Sequence, residues 1–195
     1  MVDGDVLSGI ARWAIADALG VADRCAGADP SGAPWLGERG ASFVTLRIDG
    51  ELRGCIGSLT AYRPLGEDVR GNALSAAFDD PRFPPLTRAE FDSVAVEVSV
   101  LSAPEPMPFR SRQEALAMLR PGVDGVVLSV RGRRATFLPQ VWEELPDREQ
   151  FIRHLMRKAG LPADFWDDTV RIQRYTVQAY EDPSGPLGTV PNGPN

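Results

Sequence analysis

The sequence has few of the residues that bind metals or form disulfides. Its 195 residues include two cysteines, Cys25 and Cys55, and one histidine, His154. A structural zinc site takes about four cysteine or histidine ligands, and a catalytic one takes about three plus a water molecule. The two cysteines are also too far apart in sequence for a CxxC redox pair. We therefore predict no metal site, and the residues identify no cofactor.

Long apolar runs, positive net charge and nucleotide-binding motifs are absent as well. No run approaches the roughly 20 apolar residues of a membrane span, and Met1 to Asp5 lack the positive region of a signal peptide. The net charge of -6 disfavours contact with phosphate backbones, and no GxGxxG or Walker A pattern is present. We expect a cytoplasmic protein with reduced thiols that binds neither a membrane nor nucleic acid.

Helical periodicity and strand alternation occur in separate segments of the chain. Helices are predicted over residues 5–19, 65–78, 111–119 and 147–160. Strands are predicted over 93–101 and 170–180, and hairpins over 43–56 and 125–138. Because the strands are joined as hairpins, an α+β fold with a mainly antiparallel sheet and flanking helices is favoured. Residues 1–182 suit one domain, or two lobes that share a core, and residues 183–195 are predicted to be a disordered tail.

The hairpin over residues 43–56 is the most informative stretch. Asp49-Gly50 is typical of a two-residue type I′ turn, and this turn would place Arg53 and Cys55 on one face of the sheet. Gly54 and Gly57 leave the backbone bare on both sides of the cysteine. The predicted cross-strand pairs are Ile48 with Glu51, Leu46 with Arg53, and Val44 with Cys55. The opposite face would carry Phe43, Leu52 and Ile56.

Cys55 is the first candidate for a chemical role. A nearby cation favours the reactive thiolate form of a cysteine, and Arg53 would lie on the same face. The structural alternative is that Cys55 is a small hydrophobic residue in a core strand.

Glu97 is the second candidate, because a carboxylate in the middle of a strand of valine, alanine and serine needs a partner or water. It suits a general base or a substrate anchor. The alternative is an exposed face or a structural pair with an arginine. His154 lies away from the buried arc of its helix and is interpreted as a surface residue. A dyad of Cys55 and His154 would require a second lobe to cover that side.

The segment Leu52-Arg53-Gly54-Cys55-Ile56-Gly57 resembles the signature hexapeptide of the AMMECR-one domain family, whose prokaryotic members are called AmmeMemoRadiSam system protein A. Further pieces of the family pattern agree in order, and the resemblance covers roughly residues 5 to 182. Those pieces include Asn72-Ala73, Asp80-Pro81-Arg82-Phe83, Val98-Ser99-Val100-Leu101, Leu138-Pro139 and Lys158-Ala159-Gly160-Leu161. The loop that holds Cys25 carries none of them.

The resemblance implies a two-lobed α+β fold with a cleft beside the Arg-Gly-Cys-Ile-Gly strand. It also implies a pathway shared with Memo-like and radical SAM proteins. The lack of an obvious catalytic triad and of metal ligands favours a binding component that holds a metabolite or a peptide segment in this cleft. In this interpretation Arg53, Gly54 and Gly57 contact the ligand. The alternative is a thiol-dependent enzyme that uses Cys55 on a small substrate, with Glu97 as a proton carrier.

Overall fold

The computed structural model describes residues 2–22 and 32–182. Cys25 and the predicted tail over 183–195 lie outside the described residues. The chain divides into two compact units: the first contains the described residues through Leu101 and those from Gln178 onward, and the second is Ser102–Val177. Both units contain helices and antiparallel sheets, which confirms the α+β fold class.

The elements follow one another in an order close to the predicted one. The helices are α1 (Gly4–Leu19), α2 (Leu65–Phe78), α3 (Arg112–Met118), α4 (Val141–Glu144) and α5 (Arg148–Lys158). The strands are β1 (Arg39–Ile48), β2 (Glu51–Gly57), β3 (Arg63–Pro64), β4 (Val94–Leu101), β5 (Glu105–Pro106), β6 (Gly125–Val130), β7 (Arg133–Phe137), β8 (Arg171–Tyr175) and β9 (Val177–Glu181). No helix in the described ranges is long and apolar enough to cross a bilayer.

The first unit is a sheet with strand order β2-β1-β4-β9, to which β3 adds by pairing with β1. Helices α1 and α2 pack on one face of this sheet and form a core with the strand side chains of Val44, Leu46 and Val98. The even-numbered residues of β4 contribute to that core, as their alternation predicted. Glu97 and Ser99 therefore lie on the face opposite the helices.

The hairpin of β1 and β2 turns at the predicted residues but changes register. Asp49 and Gly50 have φ angles of 52° and 82°, as a type I′ turn requires. Ile48 pairs with Glu51 as expected, but a bulge then leaves Arg53 without a partner in β1. The other predicted pairs are therefore wrong by one residue. The observed pairs are Leu46 with Gly54, Thr45 with Cys55, and Phe43 with Gly57.

The change of register also places Phe43 on a different sheet face from the one predicted. Cross-strand partners share a sheet face, so Phe43 lies on the same face as Thr45 and Cys55. The expectation that Phe43 and Leu52 occupy the opposite face is wrong, because the extra residue in the bulge changes which side chains of the two strands meet. Leu52 pairs with Arg47, two residues from Thr45, whereas Ile56 pairs with Val44 on the opposite face as predicted.

The second unit is a sheet with strand order β5-β8-β6-β7, whose core includes side chains from α3, α4 and α5. Trp142 and Phe151 stack there with their ring centroids 3.7 Å apart. Ser111 and Asp147 accept backbone hydrogen bonds from Glu114 and Gln150, so both predicted helix starts are confirmed.

The last predicted strand is two strands in two sheets. Residues of β8 pair with β6, whereas β9 is the neighbour of β4 in the first sheet. Thr176 separates them: its carbonyl accepts from the amide of Ser102 and its amide donates to the Ser102 hydroxyl. The prediction of one continuous strand over 170–180 was wrong, because the break depends on these contacts with a residue distant in sequence.

Candidate functional site

Three short polar side chains form a row across the sheet of the first unit. Thr45 on β1 pairs with Cys55 on β2 on one side and with Glu97 on β4 on the other. Directly opposed Cβ atoms are about 5 Å apart, so Cys55 and Glu97 are separated by about 10 Å. The Thr45 hydroxyl donates to the Cys55 sulfur at 3.4 Å. The structure thus brings the two predicted candidates onto one face, and we call Cys55, Thr45 and Glu97 the polar row.

The backbone of Cys55 is held at the edge of the sheet by Asp80 and Arg82. The Cys55 amide donates to the Asp80 carboxylate at 2.9 Å, and the Arg82 guanidinium donates to the Cys55 carbonyl at 3.2 Å. Asp80 is only 4% exposed. Its hydrogen bonds with Arg82 hold the pKa of the Asp80 carboxyl far below its usual value. Asp80 and Arg82 thus fix the position of Cys55. Because they occupy its amide and its carbonyl, another strand cannot pair with β2 at this residue.

The guanidinium of Arg53 is paired with Glu90. Its Nε and Nη2 donate to the two carboxylate oxygens at 2.9 and 3.3 Å. The hydrogen bond from Arg53, together with those from Thr87, lowers the pKa of Glu90 to about 2. The spacing of Thr87 and Glu90 matches a capping box, which predicts one helical turn, and the two side chains do bond each other. The segment forms a turn that leads into a 3-10 helix at Phe91–Ser93.

The two glycines beside Cys55 are required by contacts within the chain. A Cβ added to Gly54 would collide with the carbonyl oxygen of Ala76 on α2. A Cβ added to Gly57 would collide with the ring of Phe43. The absence of side chains at these positions therefore permits the packing of a helix and an aromatic ring, which explains both glycines without a ligand.

Glu97 lies half-buried on the central strand β4. The hydroxyl of Ser99, which is 4% exposed, donates to its Oε1 at 3.4 Å. The face around Glu97 therefore carries a carboxylate and small hydroxyl side chains, with the ring of Phe43 on the neighbouring strand.

His154 belongs to the second unit and lies on α5. Its Nδ1 is 2.9 Å from the carbonyl oxygen of Gln150, one turn earlier in the same helix. Among residues 2–22 and 32–182, no group of three or more histidine, cysteine, aspartate or glutamate side chains is arranged to hold a metal ion.

Sequence reasoning missed Thr45, Asp80 and Glu90 as neighbours of the hexapeptide. Thr45 was missed because the bulge was not predicted. Asp80 and Glu90 both lay in recognised motifs, but nothing in the local sequence indicated that these motifs contact β2. Only the fold brings residues 80 and 90 to positions 55 and 53.

Known proteins are similar to this chain in sequence and in fold. The family model described as AMMECR1 matches residues 9–180. A protein from Methanothermobacter thermautotrophicus is 42% identical over 147 residues, which are 74% of this chain and 77% of that protein. A protein from Thermotoga maritima is 41% identical over 145 residues, or 73% and 78% of the two chains. The crystal structure of an uncharacterised protein from Pyrococcus horikoshii has 35% identity and a TM-score of 0.75, and the match covers 94% of each chain.

Proposed function

The chain belongs to the AMMECR1 family, and we propose that it is a binding component whose polar row holds a small metabolite or a peptide segment. The observation that carries this proposal is the row itself. A thiol, a hydroxyl and a carboxylate from three adjacent strands lie on one sheet face. Side chains on adjacent strands are held by the backbone ladder, so their spacing is fixed before a ligand arrives.

The surroundings of Cys55 support binding more than nucleophilic catalysis. A nucleophilic cysteine usually has a base or a free cation beside it. Here the sulfur accepts a hydrogen bond from the neutral hydroxyl of Thr45. The two arginines that could have stabilised a thiolate are both bound to carboxylates. Arg53 donates two hydrogen bonds to Glu90. Arg82, which also contacts the Cys55 carbonyl, donates two to Asp80.

We propose further that this binding serves a process shared with Memo-like and radical SAM proteins, as the family resemblance suggests. In that case the bound molecule is a substrate, product or peptide that passes between the partners. The second candidate is a thiol-dependent enzyme, and the observation in its favour is that Cys55 is a free, only partly buried thiol.

A complementation experiment distinguishes the two candidates. A deletion strain would carry the wild type, Cys55→Ser, or Cys25→Ser as the matched control, and its small metabolites would be profiled. A binding component should restore the wild-type profile with Cys55→Ser, because serine keeps nearly the same size and retains a hydrogen-bonding group. A thiol enzyme should fail with Cys55→Ser alone while the mutant protein remains folded.

The partner proposal needs a separate readout. Tagged wild-type protein would be purified together with coexpressed Memo-like and radical SAM proteins. We expect at least one of them to copurify with both the wild type and Cys55→Ser. If neither partner copurifies with the wild type, the shared process is contradicted, whereas the binding proposal is still judged by the complementation result.

A further inference from the structure

We infer that the ligand of the polar row carries a protonated amine that binds Glu97, attached to a neutral and largely apolar body. This inference rests on the proposed binding function and narrows the class of ligand. It excludes phosphates, carboxylates and other anions as the group bound at Glu97.

Glu97 differs from the other buried or half-buried carboxylates in the described part of the chain, because it has no basic partner there. Among the described residues, no arginine or lysine nitrogen makes an ion pair with its carboxylate. The other seven such carboxylates are each paired with an arginine. These pairs are Asp68 with Arg63, Asp80 with Arg82, Glu90 with Arg53, Asp124 with Arg120, Glu149 with Arg112, Asp167 with Arg131, and Asp182 with Arg12.

The cation that the register brings nearest to Glu97 is directed elsewhere. Arg47 lies two residues from Thr45 on β1 and pairs with Ala95, so it is a diagonal neighbour of Glu97. Its guanidinium donates instead to the carbonyl of Gly50 in the hairpin turn, at 3.3 Å. The hydrogen bond from Ser99 to Glu97, at 3.4 Å, is long for one that involves a carboxylate.

An unpaired, half-buried carboxylate favours a ligand that brings the missing positive charge. Taking a carboxylate out of water is costly unless it gains a charged or hydrogen-bonding partner. A protonated amine has three donors and no acceptor, so it matches an acceptor-only group. A ligand phosphate or carboxylate at this position would repel Glu97.

The rest of the face fits an uncharged ligand body. The polar row continues from Glu97 to the hydroxyl of Thr45 and the thiol of Cys55, and it contains no second carboxylate. Phe43, next to Thr45 on the same face, supplies a half-buried aromatic ring that is packed over Gly57. An amine at Glu97 would therefore direct its apolar body across β1 towards the ring and the thiol.

Three probes of equal length and different charge test the inference on the full chain. They are n-butylamine, n-butanol and butyrate, each titrated while the backbone amide signals of Thr45, Glu97 and Ser99 are followed by NMR. We expect n-butylamine to shift these signals and to bind at least about tenfold more tightly than n-butanol, because it adds an ion pair in a partly buried site. Butyrate should not bind at the row.

Isosteric variants assign the effect to one carboxylate. Glu97→Gln should reduce n-butylamine affinity to that of n-butanol, and an unchanged pattern of amide signals elsewhere shows that the variant is folded. Glu51→Gln is the matched control, because Glu51 is an exposed carboxylate on β2, and its amine affinity should equal that of the wild type.

Two results would overturn the inference. One is a lack of selectivity: all three probes shift the row signals, or n-butanol binds as tightly as n-butylamine. The row then binds ligands without selecting an amine, and the proposed binding function stands. If n-butylamine causes no shift at the row, or if Glu97→Gln leaves its affinity unchanged, Glu97 does not anchor an amine; the complementation profile of Cys55→Ser then decides the proposed function independently.

Discussion

Most residues of the hexapeptide have partners inside the first unit. Arg53 pairs with Glu90, the backbone of Cys55 bonds Asp80 and Arg82, and Gly54 and Gly57 make room for Ala76 and Phe43. The side chain of Cys55 is the part of the motif that these contacts leave on the polar row. Most of the motif thus positions the strand, and the Cys55 side chain is the part that we propose contacts a ligand.

Gly54→Ala should destabilise the protein, because the new Cβ would meet the Ala76 carbonyl on α2. Overpacking at such a contact typically costs about 1 to 3 kcal/mol. The free energy of unfolding from chemical denaturation measures the effect. Gly37→Ala is the matched control: nothing lies within 4 Å of its added Cβ, so its stability should stay close to that of the wild type. Equal stabilities of the two variants would show that α2 does not press on Gly54.

The pair of Glu90 and Arg53 should make stability depend on pH in a defined direction. The pKa of Glu90 falls from an ordinary 4.5 to about 2 because of Arg53 and Thr87. Since the folded pKa is the lower one, the carboxylate contributes its full stabilisation above pH 4.5. That contribution is lost as the pH falls through about 2.

Denaturation of the wild type and Glu90→Gln across this pH range checks the prediction. The difference between their free energies of unfolding should be constant above pH 4.5 and should shrink towards pH 2. A difference that does not vary with pH would mean that Glu90 has the same proton affinity in the folded and unfolded chains.

At the level of elements, β2 shows what the local sequence could and could not predict. The turn at Asp49-Gly50 followed from residue preference, and the extent of β2 followed from alternation to within one residue, although β1 begins four residues before the predicted start. The bulge at Arg53 did not, because it is supported by a bond to Glu90, which is 37 residues away in sequence. The break at Thr176 has the same origin in its bonds to Ser102. Local pattern determined which segments are strands, and long-range polar contacts determined their register and sheet.

The closure of the β2 edge should depend on Asp80. Asp80→Ala removes the acceptor of the Cys55 amide and the partner of Arg82. Hydrogen bonds to a charged group contribute about 1.5 to 3 kcal/mol, so we expect a loss of stability of that order. The Cys55 amide should also exchange its hydrogen with solvent at least about tenfold faster.

Hydrogen exchange measured by NMR tests this, with Asp79→Ala as the control. Asp79 is exposed and precedes Asp80 directly, so its removal should leave the exchange of the Cys55 amide unchanged. The role assigned to Asp80 is contradicted if the amide exchanges equally slowly in Asp80→Ala.

At the level of the whole molecule, the family and the fold class were accessible from the sequence. The hexapeptide and its ordered companions predicted the family that the match over residues 9–180 confirms. The polar row was not predicted as such: Cys55 and Glu97 were candidates for separate reasons, and Thr45 was assigned to no site. The hairpin of β1 and β2 and the later strand β4 create the row, and the bulge sets the register that aligns Cys55 with Thr45.

The rate at which iodoacetamide alkylates Cys55 at neutral pH tests most directly whether the row binds ligands or performs thiol chemistry. The measurement uses Cys25→Ser protein, so that Cys55 is the only thiol. We predict a rate at least about tenfold below that of free cysteine, because the sulfur is partly buried and the guanidinium groups of Arg53 and Arg82 are both bound to carboxylates. Adding Arg53→Ala should change this rate little, because Arg53 is bound to Glu90. A rate above that of free cysteine that falls when Arg53 is replaced would contradict the binding proposal and identify Cys55 as an activated nucleophile.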